Sequence, residues 1–75
     1  MNTLNKLTPI TLWEQLYKVI KNDIEAGKYK PGDKIPTEFE LKDIYNVSRV
    51  TVRSAIQQLV NEDILIKKTG KGNFT

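Results

Sequence analysis

From Leu12 onward the apolar residues fall at Leu12, Leu16, Val19, Ile20 and Ile24, with Trp13 and Tyr17 on a flanking stripe. Steps of three and four predict an amphipathic helix over residues 11–26. Thr11 is its candidate N-cap and Gly27 its C′ glycine. Residues 1–10 have no periodicity and read as a flexible N-terminal arm. The run Tyr29-Lys30-Pro31-Gly32-Asp33 reads as a turn, because proline presets one backbone angle and glycine permits a positive one. Lys34 and Ile35 could form a very short strand. Thr37, with Glu40 three residues on, fits a capping box and opens a short helix over residues 38–45. Leu41, Ile44 and Tyr45 are its expected buried edge.

Asn46-Val47 then turns the chain, since asparagine tolerates a left-handed backbone. Ser48 caps a third helix, residues 49–62, with Val52, Ala55, Ile56, Leu59 and Val60 on its apolar side. Arg49, Val50, Arg53, Ser54 and Gln57 lie on the opposite face, with Thr51 at the border. Residues 64–68 form a short run with β-branched Ile64 and Ile66 and read as a strand. Thr69-Gly70-Lys71-Gly72 is a hairpin turn, and a return strand starts at Asn73. Two helices, a tight turn, a third helix and a basic hairpin make a fold that is mainly α with a small β-hairpin. This is a winged helix-turn-helix over residues 11–75.

Length and composition narrow the function. Seventy-five residues make one small domain, and a chain this short buries only about 60% of its unfolded surface. A core that thin leaves little room for a catalytic pocket. The chain has no cysteine and no histidine, so thiolate zinc sites, disulfides and His-based acid–base dyads are excluded. Glu38 and Glu40, two apart on a helix, make a poor acid–base pair, and Glu40 is already used by the cap. The sequence therefore predicts no enzyme, no metal and no cofactor. The longest apolar run, Ile64-Leu65-Ile66, is too short to cross a membrane. The polar start carries no apolar signal core, so the expected compartment is the cytoplasm.

The net charge of +3 is unevenly placed. Residues 1–41 carry six basic and six acidic groups, whereas residues 42–75 carry six basic against three acidic. Both arginines lie in the second half and project from one side of helix 3, because four residues separate them. Arginine can bond guanine O6 and N7 together, while Ser48, Thr51 and Ser54 can bond bases or phosphate. Lys67, Lys68 and Lys71 surround Gly70 and Gly72 on a hairpin that could approach a phosphate backbone closely. Read singly, the arginine face is the solvated side of an amphipathic helix, and the lysines are guards against edge-to-edge aggregation. The capped turn before helix 3 and the basic hairpin after it favour DNA. Phe39 stands between two carboxylates in the first turn of helix 2. Partial burial against helix 1 or the hairpin is its expected state; contact with a thymine methyl or a sugar is the alternative.

Three runs carry a family resemblance. Residues 29–38, Tyr29 to Glu38, resemble the opening signature of the GntR family of bacterial transcription regulators. Val47-Ser48-Arg49-Val50-Thr51-Val52-Arg53-Ser54-Ala55 resembles its recognition helix, and Gly70-Lys71-Gly72-Asn73-Phe74 its wing. The wing and turn look most like the HutC-type branch, whose regulators often sense sugar phosphates or other small metabolites. The resemblance implies a repressor whose winged helix-turn-helix binds palindromic double-stranded operator DNA as a homodimer. It places Arg49 and Arg53 on bases, Thr51 on phosphate or a base, and Gly70 in the minor groove. With the motif neighbours, the expected DNA-binding set is Thr37, Phe39, Ser48, Arg49, Thr51, Arg53, Ser54, Lys68, Gly70 and Lys71. Three positions depart from the pattern. Phe39 stands where an arginine is usual, Asp63 where a helix-ending glycine is usual, and Asn73 where threonine is usual, the last expected to matter little. Family members also carry a C-terminal domain that dimerises and binds a small-molecule effector, and the expectation is that this chain is the DNA-binding part alone. A winged-helix protein-interaction module is the competing reading.

Overall fold

The computed structural model describes residues 11–75, and the N-terminal arm expected at residues 1–10 lies outside them. Three helices and a hairpin follow in the order α1 (Leu12–Glu25), α2 (Glu38–Tyr45), α3 (Arg49–Asn61), β1 (Ile66–Lys68) and β2 (Gly72–Phe74). Each helix starts at the cap the sequence offers. Thr11 Oγ1 accepts from Glu14 N, and Ser48 Oγ accepts from Thr51 N. Thr37 and Glu40 close the reciprocal capping box, at 3.1 Å and 2.9 Å.

The helix ends are set just as locally. Gly27, with φ of 86°, ends α1, and the amides of Gly27 and Lys28 bond back to Ile24 and Asp23. Asn46 takes the left-handed conformation, φ 54°, in the tight turn between α2 and α3. Asp63, φ 60°, does the same after α3, and its amide and that of Ile64 close onto Val60 and Leu59. The Leu65 amide also points to Leu59. Ile64 and Leu65 therefore cap α3, and the strand expected from residue 64 begins only at Ile66. On the other side of the hairpin the pairing includes Gly72, one residue before the expected start.

β1 and β2 pair antiparallel, with Ile66 opposite Phe74, Lys67 opposite Asn73 and Lys68 opposite Gly72. Lys34 bridges Phe74, so the short strand expected at Lys34-Ile35 is a single bridge that makes a third edge to the wing. The Ile35 amide donates to the Asn73 carbonyl, and the Thr75 amide donates to the Asp33 carbonyl. These bonds fasten the wing to the turn before α2.

α1 and α2 both pack on α3, which carries the largest share of the core: Val52, Ala55, Ile56 and Leu59. Leu16, Ile20, Ile35, Leu41, Tyr45, Val47 and Leu65 complete it. Ile44 is a correction: it is 43% exposed, whereas Leu41 and Tyr45 are buried as expected. With only two turns, α2 presents one narrow stripe to the core, Leu41 and Tyr45 four residues apart, and Ile44 falls beside it. Tyr17 donates its hydroxyl to Glu62, and Lys21 reaches both, tying α1 to the end of α3. Among the described residues no helix is long and apolar enough to cross a membrane.

Candidate nucleic-acid interface

The short α2 and the tight turn at Asn46 bring the first turn of α2 beside the polar face of α3. The contact is direct: Arg53 Nε lies 4.0 Å from Glu38 Oε1. Arg53 remains largely exposed, and Arg49, one turn earlier, is exposed with no ion pair among the described residues. Two guanidinium groups thus stand on one side of α3, each able to present a planar donor fork.

The hydroxyls of Ser48, Thr51 and Thr37 around them are already engaged. Ser48 Oγ and Thr51 Oγ1 lie 3.0 Å apart at the start of α3. Ser48 is exposed, whereas Thr51 and Ser54 are half-buried. Thr37 is half-buried and held by its cap. Each retains oxygen lone pairs for a further bond, and the amides at the starts of α2 and α3 give both ends positive character towards an anion.

The wing approaches α2 from the other side. Thr37, Glu38 and Phe39 share one groove with Lys68, Gly70 and Asn73. Gly70 sits at the tip with φ of 77°, and a Cβ added there would meet nothing within 4 Å. Its backbone is open to close approach by another surface. Lys68 and Lys71 are exposed, and Lys68 Nζ lies 4.8 Å from the centre of the Phe74 ring.

Phe39 corrects an expectation. It is 66% exposed, not partly buried, because its place in the first turn lies off the Leu41–Tyr45 stripe. Lys42 Nζ stands 5.5 Å from its ring centre.

A second groove runs between α1 and α3 and is lined by Trp13, Val50, Arg53, Ser54 and Gln57. Of the expected residues, Thr37, Phe39, Lys68 and Gly70 meet in the wing groove and Arg53 and Ser54 in this one. Ser48, Arg49, Thr51 and Lys71 line neither. Val50 is absent from the expected set although it is 70% exposed. Its signal was in the sequence, since it lies opposite the buried stripe of its helix. Asn73, expected to matter little, is buried with its Oδ1 unpaired among the described residues.

Comparison with known proteins agrees with this geometry. The family model described as bacterial regulatory proteins, gntR family, matches residues 12–74. An uncharacterized HTH-type transcriptional regulator of Bacillus subtilis, YurK, is 51% identical over 71 residues, covering 95% of this chain and 29% of that protein. The HTH-type transcriptional repressor NagR of the same organism is 37% identical, with the same coverage of each. This chain thus spans under a third of the length of these relatives. Among solved structures, the DNA-binding domain of AraR in complex with operator ORX1 superposes with a TM-score of 0.90 at 36% identity, covering 97% of this chain and 93% of that one. With three helices, a two-stranded wing and a family match across nearly every described residue, the chain belongs to the GntR family of bacterial regulatory proteins.

Proposed function

We propose that this chain is the operator-reading domain of a metabolite-responsive bacterial repressor. In this reading α3 enters the major groove, the wing at Gly70 enters the minor groove, and two copies meet on a palindromic site. The observation that carries it is the placement of Arg49 and Arg53 on one exposed side of the first two turns of α3, with a lysine-bearing wing beside them. Arg49 and Arg53 read base edges. Ser48, Thr51, Ser54, Thr37, Lys68 and Lys71 hold phosphates, which set register and affinity without reading sequence. The AraR domain solved on its operator and the repressor NagR support this reading by likeness. Homodimerisation and effector sensing fall, in this reading, to a domain outside these residues, and the site of action is the cytoplasm. No step of it involves catalysis, a metal or a cofactor.

A fluorescence-anisotropy titration tests it. The chain is titrated against a random duplex and against duplexes enriched from a randomised palindromic pool, across a range of salt concentrations. A log–log salt slope of about −3 to −5 per domain, with tighter binding to the enriched duplexes, is expected. Absence of binding at low salt overturns the reading in favour of a protein-interaction module.

A further inference from the structure

Two large apolar side chains stand in solvent on the surface that carries the arginines. Val50 is 70% exposed and Phe39 is 66% exposed. On α3 the buried stripe is Val52, Ala55, Ile56 and Leu59, and a repeat of 3.6 residues points Val50 directly away from it. Its neighbours at three and four residues, Arg53 and Ser54, line the same groove. The N-terminal turns of a recognition helix are the part that reaches base edges. Val50 is therefore the most forward apolar group on that helix.

Phe39 occupies the matching place on α2. Its chain neighbour Glu38 touches Arg53, and it shares a groove with Gly70 of the wing. It thus stands between the recognition helix and the wing tip. The Lys42 ammonium lies over one face of its ring, 5.5 Å from the centre, and adds positive charge there while Phe39 stays 66% exposed.

Exposed apolar groups bordered by Arg49, Arg53, Lys42 and Lys68 suit a polyanion that carries small apolar groups of its own. In the major groove that group is the 5-methyl of thymine. We propose that Val50 and Phe39 are specificity-determining residues that read thymine 5-methyl groups, placing A·T pairs opposite the first turns of α3 and α2. The proposal rests on the DNA-reading function above. It adds an apolar selection to the guanine-seeking arginines.

The test uses the 75-residue chain and a duplex enriched from a randomised pool. Each thymine in the enriched site is replaced in turn by deoxyuracil, which removes one methyl and leaves every hydrogen-bonding atom in place. Binding is expected to weaken about fourfold at one position for each residue, the value of one buried carbon group. V50A abolishes the sensitivity at its position and F39A at the other. Both side chains are exposed, so circular dichroism of the variants is expected to match the parent chain. Uniform indifference to uracil, or sensitivity that survives both variants, overturns the methyl reading and leaves operator reading intact. Failure to enrich any duplex overturns operator reading and the methyl reading with it.

Discussion

Arg53 Nε lies 4.0 Å from Oε1 of Glu38, so the second arginine of α3 stands beside the first turn of α2. The pair is largely solvated on the arginine side and contributes little to stability. Its consequence is positional. At 4.0 Å the pair is too long for a hydrogen bond, so the carboxylate biases where the guanidinium rests by charge alone. Arg53→Ala is expected to cost about 1–3 kcal/mol on an enriched duplex and to relax discrimination at one base pair. Glu38→Gln is expected to leave stability within about 0.5 kcal/mol while narrowing the preference for enriched over random DNA. Anisotropy on both duplexes, beside a thermal melt, checks the two together. Equal loss on every sequence for Arg53→Ala would make that arginine a phosphate contact.

Asp63 ends α3 with φ of 60°, a conformation that costs a non-glycine residue roughly 1–2 kcal/mol. The bonds that require it are in place, from Asp63 N to the Val60 carbonyl at 3.0 Å and from Ile64 N to that of Leu59 at 2.9 Å. Asp63→Gly keeps both bonds and relieves the strain. It is expected to gain about 1 kcal/mol, raising the melting temperature by roughly 4–8 °C. Asp63→Ala relieves nothing and is expected to show no gain. Melting curves of the two variants side by side separate backbone strain from loss of the aspartate charge.

The parts of the fold legible in the sequence are those fixed by neighbours in the chain. The caps at Thr11, Thr37 and Ser48, the left-handed Asn46 and the glycine turns are each decided within a few residues, and all three helices lie within one residue of their expected limits. What escaped was decided by how the elements end and pack. Ile64 and Leu65 look like strand, but their amides are drawn back to Leu59. Ile44 has the composition of a core residue, yet a two-turn helix offers the core only one stripe. Phe39 is expected to be partly buried against helix 1 or the hairpin, but its place in the first turn lies off the Leu41–Tyr45 stripe and leaves it in solvent. The arginine face was legible from spacing alone, but its pairing with Glu38 depends on how the two helices cross.

Glu62 and Glu40 are both held below the usual carboxylate range by local hydrogen bonds. Hydrogen bonds from Tyr17, then Gln58, hold the Glu62 carboxyl below the usual carboxylate range. The Thr37 backbone amide, then its hydroxyl, does the same for Glu40. A carboxylate whose folded-state pKa is depressed contributes stability above its unfolded value, near about 4.3 for glutamate, and loses it as the pH falls through the folded value. The melting temperature is therefore expected to fall as the pH drops below the ordinary glutamate value. In Glu62→Gln the same fall is expected to be shallower, because the glutamine carbonyl still accepts from Tyr17 at any pH but has no proton to gain. A pH series of melts on both chains checks this. Parallel curves would place the acid sensitivity elsewhere.

Asn73 stands opposite Lys67 in the wing with 5% of its surface exposed, and its Oδ1 is buried with no partner among the described residues. An orphan acceptor of this kind costs on the order of 1–3 kcal/mol. Its backbone carbonyl is engaged by the Ile35 amide at 3.0 Å, so the main chain has reason to stay where it is whatever the side chain. A β-branched residue suits a paired strand position better than asparagine. Asn73→Val removes the unpaired oxygen and is expected to raise stability by about 1 kcal/mol, read as a higher denaturant midpoint with an unchanged slope. Because the oxygen is shielded from the wing surface, affinity for an enriched duplex is expected to stay the same. A gain in stability accompanied by loss of affinity would show instead that the asparagine is kept for DNA, reached by a small opening of the wing.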